Sequence, residues 1–268
     1  MQTIDAKSRY RTVFLSDVHL GTKGCRSDFL LDFLRRTDCE RLYLVGDIID
    51  GWRLRKSWYW TAEFDEVLRE ILTMARRGVE VTYIPGNHDE MFRGWLGLGF
   101  EVAGVRMARD AVHEGADGRR YLVIHGDEFD GVIRYAKFLA HLGDWAYDWA
   151  LTLNRWFNAG RRKFGYPYRS LSQWLKRQVK EAVKAIDRFE LALANEAGRR
   201  GLDGVICGHI HHAEMRSVHG ILYMNDGDWV ESCSALVEHA DGRFELVDWA
   251  QRMRQSPAPL PLPSPVAA

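Results

Sequence analysis

Five polar clusters each follow directly on an apolar run: Asp17-Val18-His19, Gly46-Asp47, Gly86-Asn87-His88-Asp89, His125-Gly126-Asp127 and Gly208-His209-Ile210-His211. Their side chains are donors for divalent transition ions. Residues two apart on an extended chain face the same side, so Asp17 and His19 can share one ion, and so can His209 and His211. Asp47 is the natural bridge between two ions, with one carboxylate oxygen for each. Asn87 adds a neutral carbonyl oxygen and His125 a further imidazole. This mixed oxygen and nitrogen set suits manganese, iron or zinc better than calcium or magnesium. Two such ions roughly 3.5–4 Å apart activate water at neutral pH and neutralise a phosphoryl group during in-line attack, which is hydrolytic chemistry.

His88 directly follows a ligand candidate, so its ring should lie over the same centre. There it can stabilise phosphoryl oxygens or protonate a leaving oxygen, with Asp89 fixing its tautomer. Gly46, Gly86 and Gly208 permit the turns that bring backbone close to the ions. A lone Asp-x-His or His-x-His is a weak signal. The five clusters together use half of the ten histidines, and that joint pattern reads as a metal site. His113, His141, His212, His219 and His239 fall outside it and read as surface or core histidines.

The preceding segments, TVFLS, RLYLV, VEVTYI, YLVI and DGVIC, are β-branched and aromatic runs of strand length. Each cluster should therefore stand where a strand ends, the usual place for ligands in α/β sheets. SDFLLDFLRR has helical spacing with Ser27 or Asp28 as its cap. TAEFDEVLREILTMARRG is an amphipathic helix preceded by Thr61 and ended by Arg76, Arg77 and Gly78. This alternation predicts a sheet with parallel strands covered by helices. From about 131 to 200 the strand signal gives way to helical sequence rich in aromatic and basic residues, an insertion. Strands return at DGVICGH, RSVHGILYMN, CSALVEH and RFELVDW, the last three antiparallel. Residues 1–255 form the domain, and the proline-rich tail 256–268 is expected to be disordered.

The chain of 268 residues, 46% apolar, suits one domain with an insertion. Lys plus Arg equal Asp plus Glu at 37 each, so no global charge argues for nucleic acid as partner. The opening stretch lacks a signal-peptide core and no segment is apolar over a bilayer's width, which predicts a cytoplasmic protein. Cys25, Cys39, Cys207 and Cys233 form no CxxC pair and read as reduced thiols without a chemical role. Nothing in the sequence sets an oligomeric state.

At the five clusters the sequence resembles the calcineurin-like metallophosphoesterases, whose pattern is Asp-x-His, Gly-Asp, Gly-Asn-His-Asp/Glu, a lone His, and Gly-His-x-His. All five occur in order from Asp17 to His211. The resemblance implies an α/β fold, a four-layer αββα sandwich of two mixed sheets with a helical insertion, and a dinuclear centre. It places Asp17, His19, Asp47 and His211 on one ion and Asp47, Asn87, His125 and His209 on the other, with manganese the first expectation and His88 and Asp89 the catalytic pair. Within that superfamily the chain is most similar to the UDP-2,3-diacylglucosamine pyrophosphohydrolase branch of lipid A synthesis. That likeness rests on LSDVHLG, GDIIDGW with Trp52, IHGDEFD, the helical insertion and NDGDWVES. One position departs from it: the best-defined members of that branch carry Arg where this chain has His88.

The likeness implies a nucleotide-lipid or other phosphate-ester substrate, with Asn87, His88, Asp130, Arg169, Lys176, Lys180 and His209 as candidate contacts. A phosphodiesterase or phosphatase acting on a soluble phosphoester is the alternative, and a non-catalytic scaffold a third reading, which would not need all seven ligands. In the insertion Trp145, Trp149, Trp156, Phe157, Phe164, Tyr166, Tyr168 and Trp174 interleave with Arg155, Arg161, Arg162, Lys163, Arg169, Lys176, Arg177, Lys180 and Lys184. Apolar walls beside cations could hold acyl chains and a diphosphate, and the same surface could rest peripherally on the anionic cytoplasmic face of an inner membrane.

Overall fold

In the computed structural model, which describes residues 7–96, 101–132 and 171–255, the first three apolar runs become parallel neighbours. They are β1 (Ser8–Leu15), β2 (Thr37–Leu44) and β3 (Glu80–Tyr83), connected through α1 (Ser27–Arg36), α2 (Gly51–Lys56) and α3 (Ala62–Arg76). Beyond β3 the sheet continues into β4 (Glu101–Val102) and β5 (Val105–Met107), the latter parallel to β3. A second, five-stranded sheet holds β6 (Ala111–Glu114), β7 (Arg120–Val123), β8 (Gly204–Cys207), β9 (Glu214–Val218) and β10 (Ile221–Asn225) in the order β6-β7-β8-β10-β9. Within it β7, β8 and β10 are parallel. β11 (Ser234–Glu238) and β12 (Phe244–Asp248) return antiparallel to the first sheet, beside β1.

The twofold alternation of side chains along a strand explains why these strands read as nearly continuous apolar runs, for both faces are buried. Val13, Leu15, Leu42 and Leu44 point outward to α1, α3 and α5 (Trp249–Gln255), where Phe33, Leu34, Phe64, Val67 and Trp249 meet them. Phe14 and Tyr43, between them in sequence, face the second sheet and pack with Tyr121, Val123, Ile206 and Met224. On the far side Leu122, Val205 and Tyr223 meet Phe189, Leu193 and Ala197 of α4 (Leu171–Arg199). Helices, sheet, sheet, helix: the four-layer α/β sandwich is present.

Three details differ from the sequence reading. The residue preceding α1 is Arg26, without a side-chain cap, so neither Ser27 nor Asp28 caps it; both lie within the first turn. RSVHGILYMN is a hairpin of two strands, and β10 joins the second sheet parallel to β8, so the late strands are split between the sheets. Strands β4 to β6, short and weakly patterned, carry no clear signal in the sequence. The part of the insertion from 133 to 170 and the tail from 256 lie outside the described residues, as do Arg169 and the side chains of Asp130, Lys176 and Lys180.

A buried polar tie joins the sheets. Glu238 on β11 accepts hydrogen bonds from His113 Nε2 of β6 at 2.8 Å, Thr12 Oγ1 at 2.9 Å and Ala116 N at 2.7 Å, and pairs with Arg11 at 2.8 Å. Burial alone would raise the Glu238 carboxyl, but these donors pull it from 4.5 down to about 2. A carboxyl lowered on folding contributes stability above its unfolded pKa and loses it as pH falls toward the folded one. The stability advantage of wild type over Glu238→Gln should therefore shrink by about 3 kcal/mol between pH 5 and pH 2. Urea unfolding across that range measures it, and a constant gap would refute the assignment.

Candidate metal centre

The parallel strands of both sheets end at one place. The first sheet delivers Asp17, His19, Asp47, Asn87 and His88 from beyond β1, β2 and β3; the second delivers His125, His209 and His211 from beyond β7 and β8. His19 Nε2 stands 3.4 Å from His211 Nε2 and 3.7 Å from Asp17 Oδ1, which is 3.1 Å from His211 Nε2. His125 Nε2 lies 3.4 Å from Asp47 Oδ2, and His209 completes a second group with these two. His88 Nε2 and His19 Nε2 each lie 4.0 Å from the same Asp47 oxygen, which thus stands between both groups.

Asp17 Oδ1, Asp47 Oδ2, Asn87 Oδ1 and His125 Nε2 are buried with no hydrogen-bond partner. Orphaning one such atom costs about 1–3 kcal/mol, and four on converging segments form a donor set that fits divalent cations. Electrostatics agree. Burial would raise Asp17, yet His211, His19 and His125 hold it well below the carboxylate range, and His125 does the same for Asp47 against its own burial. Burial would lower His19 and His125, but Asp17 and Asp50 lift the first to about 9, and Asp47 lifts the second to about 10. The pocket demands positive charge.

The ligand atoms are oriented from behind. His125 Nδ1–H donates to the Val45 carbonyl at 2.7 Å, leaving Nε2 free to face Asp47. Asp17 Oδ2 accepts from the His209 backbone at 2.6 Å and from Ser16 Oγ at 2.7 Å, which turns Oδ1 inward. Gly86 is obligatory here, since a Cβ at that position would lie 2.7 Å from His125 Nε2 and collide with Asp47 Oδ1.

The backbone route to this convergence is not the extended one. Asp17, His19, Asp47, His209 and His211 have φ of 49°, 54°, 54°, 72° and 55°, all in the left-handed region. Non-glycine residues there carry strain of the order of 1–2 kcal/mol each, and such strain concentrates at functional sites. Asp47 also differs from expectation. Its Oδ1 accepts the His88 backbone N–H at 2.8 Å, so only Oδ2 is free, and a bridge would run through that one oxygen.

Asp89 does not orient His88. It is fully buried and accepts hydrogen bonds from Ile48 N at 2.8 Å, Gly86 N at 2.6 Å and Tyr83 Oη, tying the second cluster to the third. Asp50 stands where Asp89 was expected. Its Oδ1 is 3.1 Å from His88 Nδ1 and its Oδ2 3.3 Å from His19 Nδ1, while Oδ1 also accepts Arg53 N–H at the start of α2. Burial would raise Asp50, and these contacts hold it below the ordinary range. The available signal was its position three residues after Asp47, ahead of a helix. Trp52 covers His88 with ring centroids 4.4 Å apart.

Ser16 Oγ lies 2.7 Å from Asp17 Oδ2, 2.5 Å from Asp226 Oδ1 and 3.1 Å from the Gly227 carbonyl. A hydroxyl brings one hydrogen to these acceptors, so Asp226 must supply another as a neutral acid. Its burial, with Asp17 nearby, pushes its pKa well up. Asp226→Asn should therefore retain metal content and stability close to wild type, whereas Asp226→Ala should lose about 1–3 kcal/mol. Equal losses in thermal and urea unfolding would refute the neutral-acid assignment.

Of the remaining histidines, His113 is core, His239 pairs with Glu245 at 2.8 Å, and His212 is largely exposed. His141 lies outside the described residues. All four cysteines are free and buried, and burial pushes the Cys25 and Cys39 thiols up to about 12.

Residues 10–213 match the family described as calcineurin-like phosphoesterase. No curated protein matches the sequence. Among solved structures, the fold is similar to Vps29 of Entamoeba histolytica complexed with zinc, at 14% identity over 89% of this chain and 98% of that one, TM-score 0.42. It is also similar to a novel archaeal phosphodiesterase, at 11% identity over 88% and 98%, TM-score 0.41. A third is the phosphopantetheinyl hydrolase of Mycobacterium tuberculosis, at 14% identity over 84% and 91%, TM-score 0.35.

Proposed function

The chain belongs to the calcineurin-like phosphoesterase family, which implies a metal-dependent hydrolase, and from that premise we propose that it cleaves a phosphoric anhydride in a nucleotide-linked substrate. The observation that carries hydrolysis is the convergence of four buried, unpartnered donor atoms at strand ends, three of which carry residues in the left-handed region. Asp17, His19, Asp47 and His211 would hold one divalent ion and Asp47, Asn87, His125 and His209 the other. Bound there, the ions would supply activation of water and neutralisation of the phosphoryl charge.

The chain's own groups do the rest. The half-buried His88 ring, wedged between Asp50, His19 and Trp52, lines the cleft with its Nε2 4.0 Å from Asp47 Oδ2. It donates its proton to the departing oxygen, while Asp50, 3.1 Å from Nδ1, fixes the orientation of the ring. Asp50 holds His19 by its other oxygen, so one carboxylate aligns a ligand and the acid together.

The finer reading is UDP-2,3-diacylglucosamine as substrate, cleaved to UMP and 2,3-diacylglucosamine 1-phosphate, with manganese as the ion. Its support is the motif resemblance from Asp17 to Trp229 and the aromatic-basic composition of the insertion. Arg169, Lys176, Lys180 and Asp130 are proposed to reach that substrate. No helix among the described residues is long and apolar enough to cross a membrane. A peripheral seat on an anionic surface remains part of the proposal, tested by sedimentation with anionic liposomes at low salt. The deciding experiment is a panel of UDP-2,3-diacylglucosamine, UDP-sugars, cyclic nucleotides and an aryl phosphodiester with manganese, each measured with wild type and Asp47→Ala. Turnover of the lipid carries the finer reading; turnover of only the soluble compounds replaces it with a phosphodiesterase.

A further inference from the structure

A cleft of about 770 Å³ opens from the metal centre, with His19, His88 and His211 at its inner end. Its outer walls carry Lys23 from the loop after β1, and Arg53 and Lys56 from α2. Arg53 and Lys56 are three apart on the helix and so share a face. The loop is fixed against that helix: a Cβ at Gly21 would lie 2.8 Å from Leu54 Cγ. It is tied to the ligand His19 as well, whose carbonyl accepts Thr22 N at 3.1 Å and Thr22 Oγ1 at 3.0 Å. Lys23 Nζ rests 5.9 Å from the Tyr59 ring centroid, and none of the three cations forms an ion pair among the described residues. Asp50 and Glu231 are the acids lining the cleft, two negative charges beside three positive ones, and Asp50 is committed to His19, His88 and the Arg53 N–H.

We propose that Lys23, Arg53 and Lys56 form a second anion subsite, so that the preferred substrate carries a further phosphate beside the one at the metal centre. This rests on the phosphohydrolase reading and narrows it. A phosphate oxygen cluster needs several donors at once, and the loop after β1 and α2 bring three cations to the lining of one cleft. The subsite's three cations belong to a stretch of chain other than the insertion's basic residues. It selects diphosphates over monophosphates through charge number alone.

The test compares binding of UMP and UDP by calorimetry to manganese-loaded wild type and to the triple variant Lys23→Ala, Arg53→Ala, Lys56→Ala. Wild type should bind UDP roughly tenfold or more tightly than UMP, and the variant should lose that preference. Hydrolysis of bis(p-nitrophenyl) phosphate, with a single phosphorus, should stay within about twofold, because these side chains stand off from the metal ligands. A preference retained by the variant, or none in wild type, overturns the subsite, and so does an equal loss on the aryl diester. If wild type hydrolyses neither the aryl diester nor UDP-2,3-diacylglucosamine, the phosphohydrolase reading falls, while the two dissociation constants still decide the subsite.

Discussion

Asp47→Ala should lose its bound metal and fall at least about a thousandfold in turnover, which corresponds to about 4 kcal/mol of transition-state stabilisation. Among the described residues, Asp47 Oδ2 is the one oxygen lying within 4.0 Å of imidazole nitrogens of His19, His88 and His125. Its removal would take a donor from both of the proposed ions at once. Asp47 Oδ1 also receives the His88 backbone N–H, so the third cluster loses a tether in the same step. The strand ends themselves are fixed by other contacts, among them Asp17 N to the Gly46 carbonyl at 3.0 Å and His19 N to the Asp47 carbonyl at 2.9 Å. The variant should therefore keep its fold, so that circular dichroism is unchanged while elemental analysis and turnover collapse together. Normal metal content with lost activity would contradict the bridging role.

The second large effect belongs to His88, and it should depend on the leaving group. General-acid catalysis is worth roughly 10²–10⁴-fold when the departing oxygen is basic, and little when that oxygen leaves readily as an anion. His88→Ala should thus lose roughly a hundredfold or more on an alkyl phosphodiester and less than about tenfold on an aryl one activated by a nitro group. Metal content should stay near wild type. His19, Asp47 and His88 have ligand atoms within 4.8 Å of one another, so the alternative is a ligand role for His88. A fall in bound metal, or equal losses on both esters, would favour that alternative.

The positions of the clusters were legible because an apolar run cut off by polar residues marks a strand end, and TVFLS before Asp17 or DGVIC before Gly208 leaves few other readings. The two-faced burial of β1, β2, β7 and β8 was legible for the same reason. Backbone conformation was not: Asp17 and His19 do reach one place, but by left-handed turns rather than through extended alternation, and no residue type in Asp-Val-His announces a positive φ. Asp50 was hidden because it works at once as a helix cap and as a carboxylate behind two imidazoles, and a sequence shows such a residue as an ordinary cap. Asp89 was misassigned by adjacency. It neighbours His88 in the chain, whereas the turn after Gly86 sends its carboxylate inward to Ile48 N and Tyr83 Oη. The split of β10 from β11 depends on which sheet offers a free edge, a tertiary fact that alternation cannot encode.

Binding of a pair of cations by side chains from both sheets is the premise of the proposed hydrolysis. Its most direct test is metal titration of chelator-treated protein with manganese, followed by calorimetry and elemental analysis, on wild type, Asp17→Ala and His209→Ala. About two ions should bind per wild-type chain and about one to each variant, since each substitution opens one of the two ligand groups. Wild type that binds no transition ion, or variants that bind as wild type does, would contradict the account.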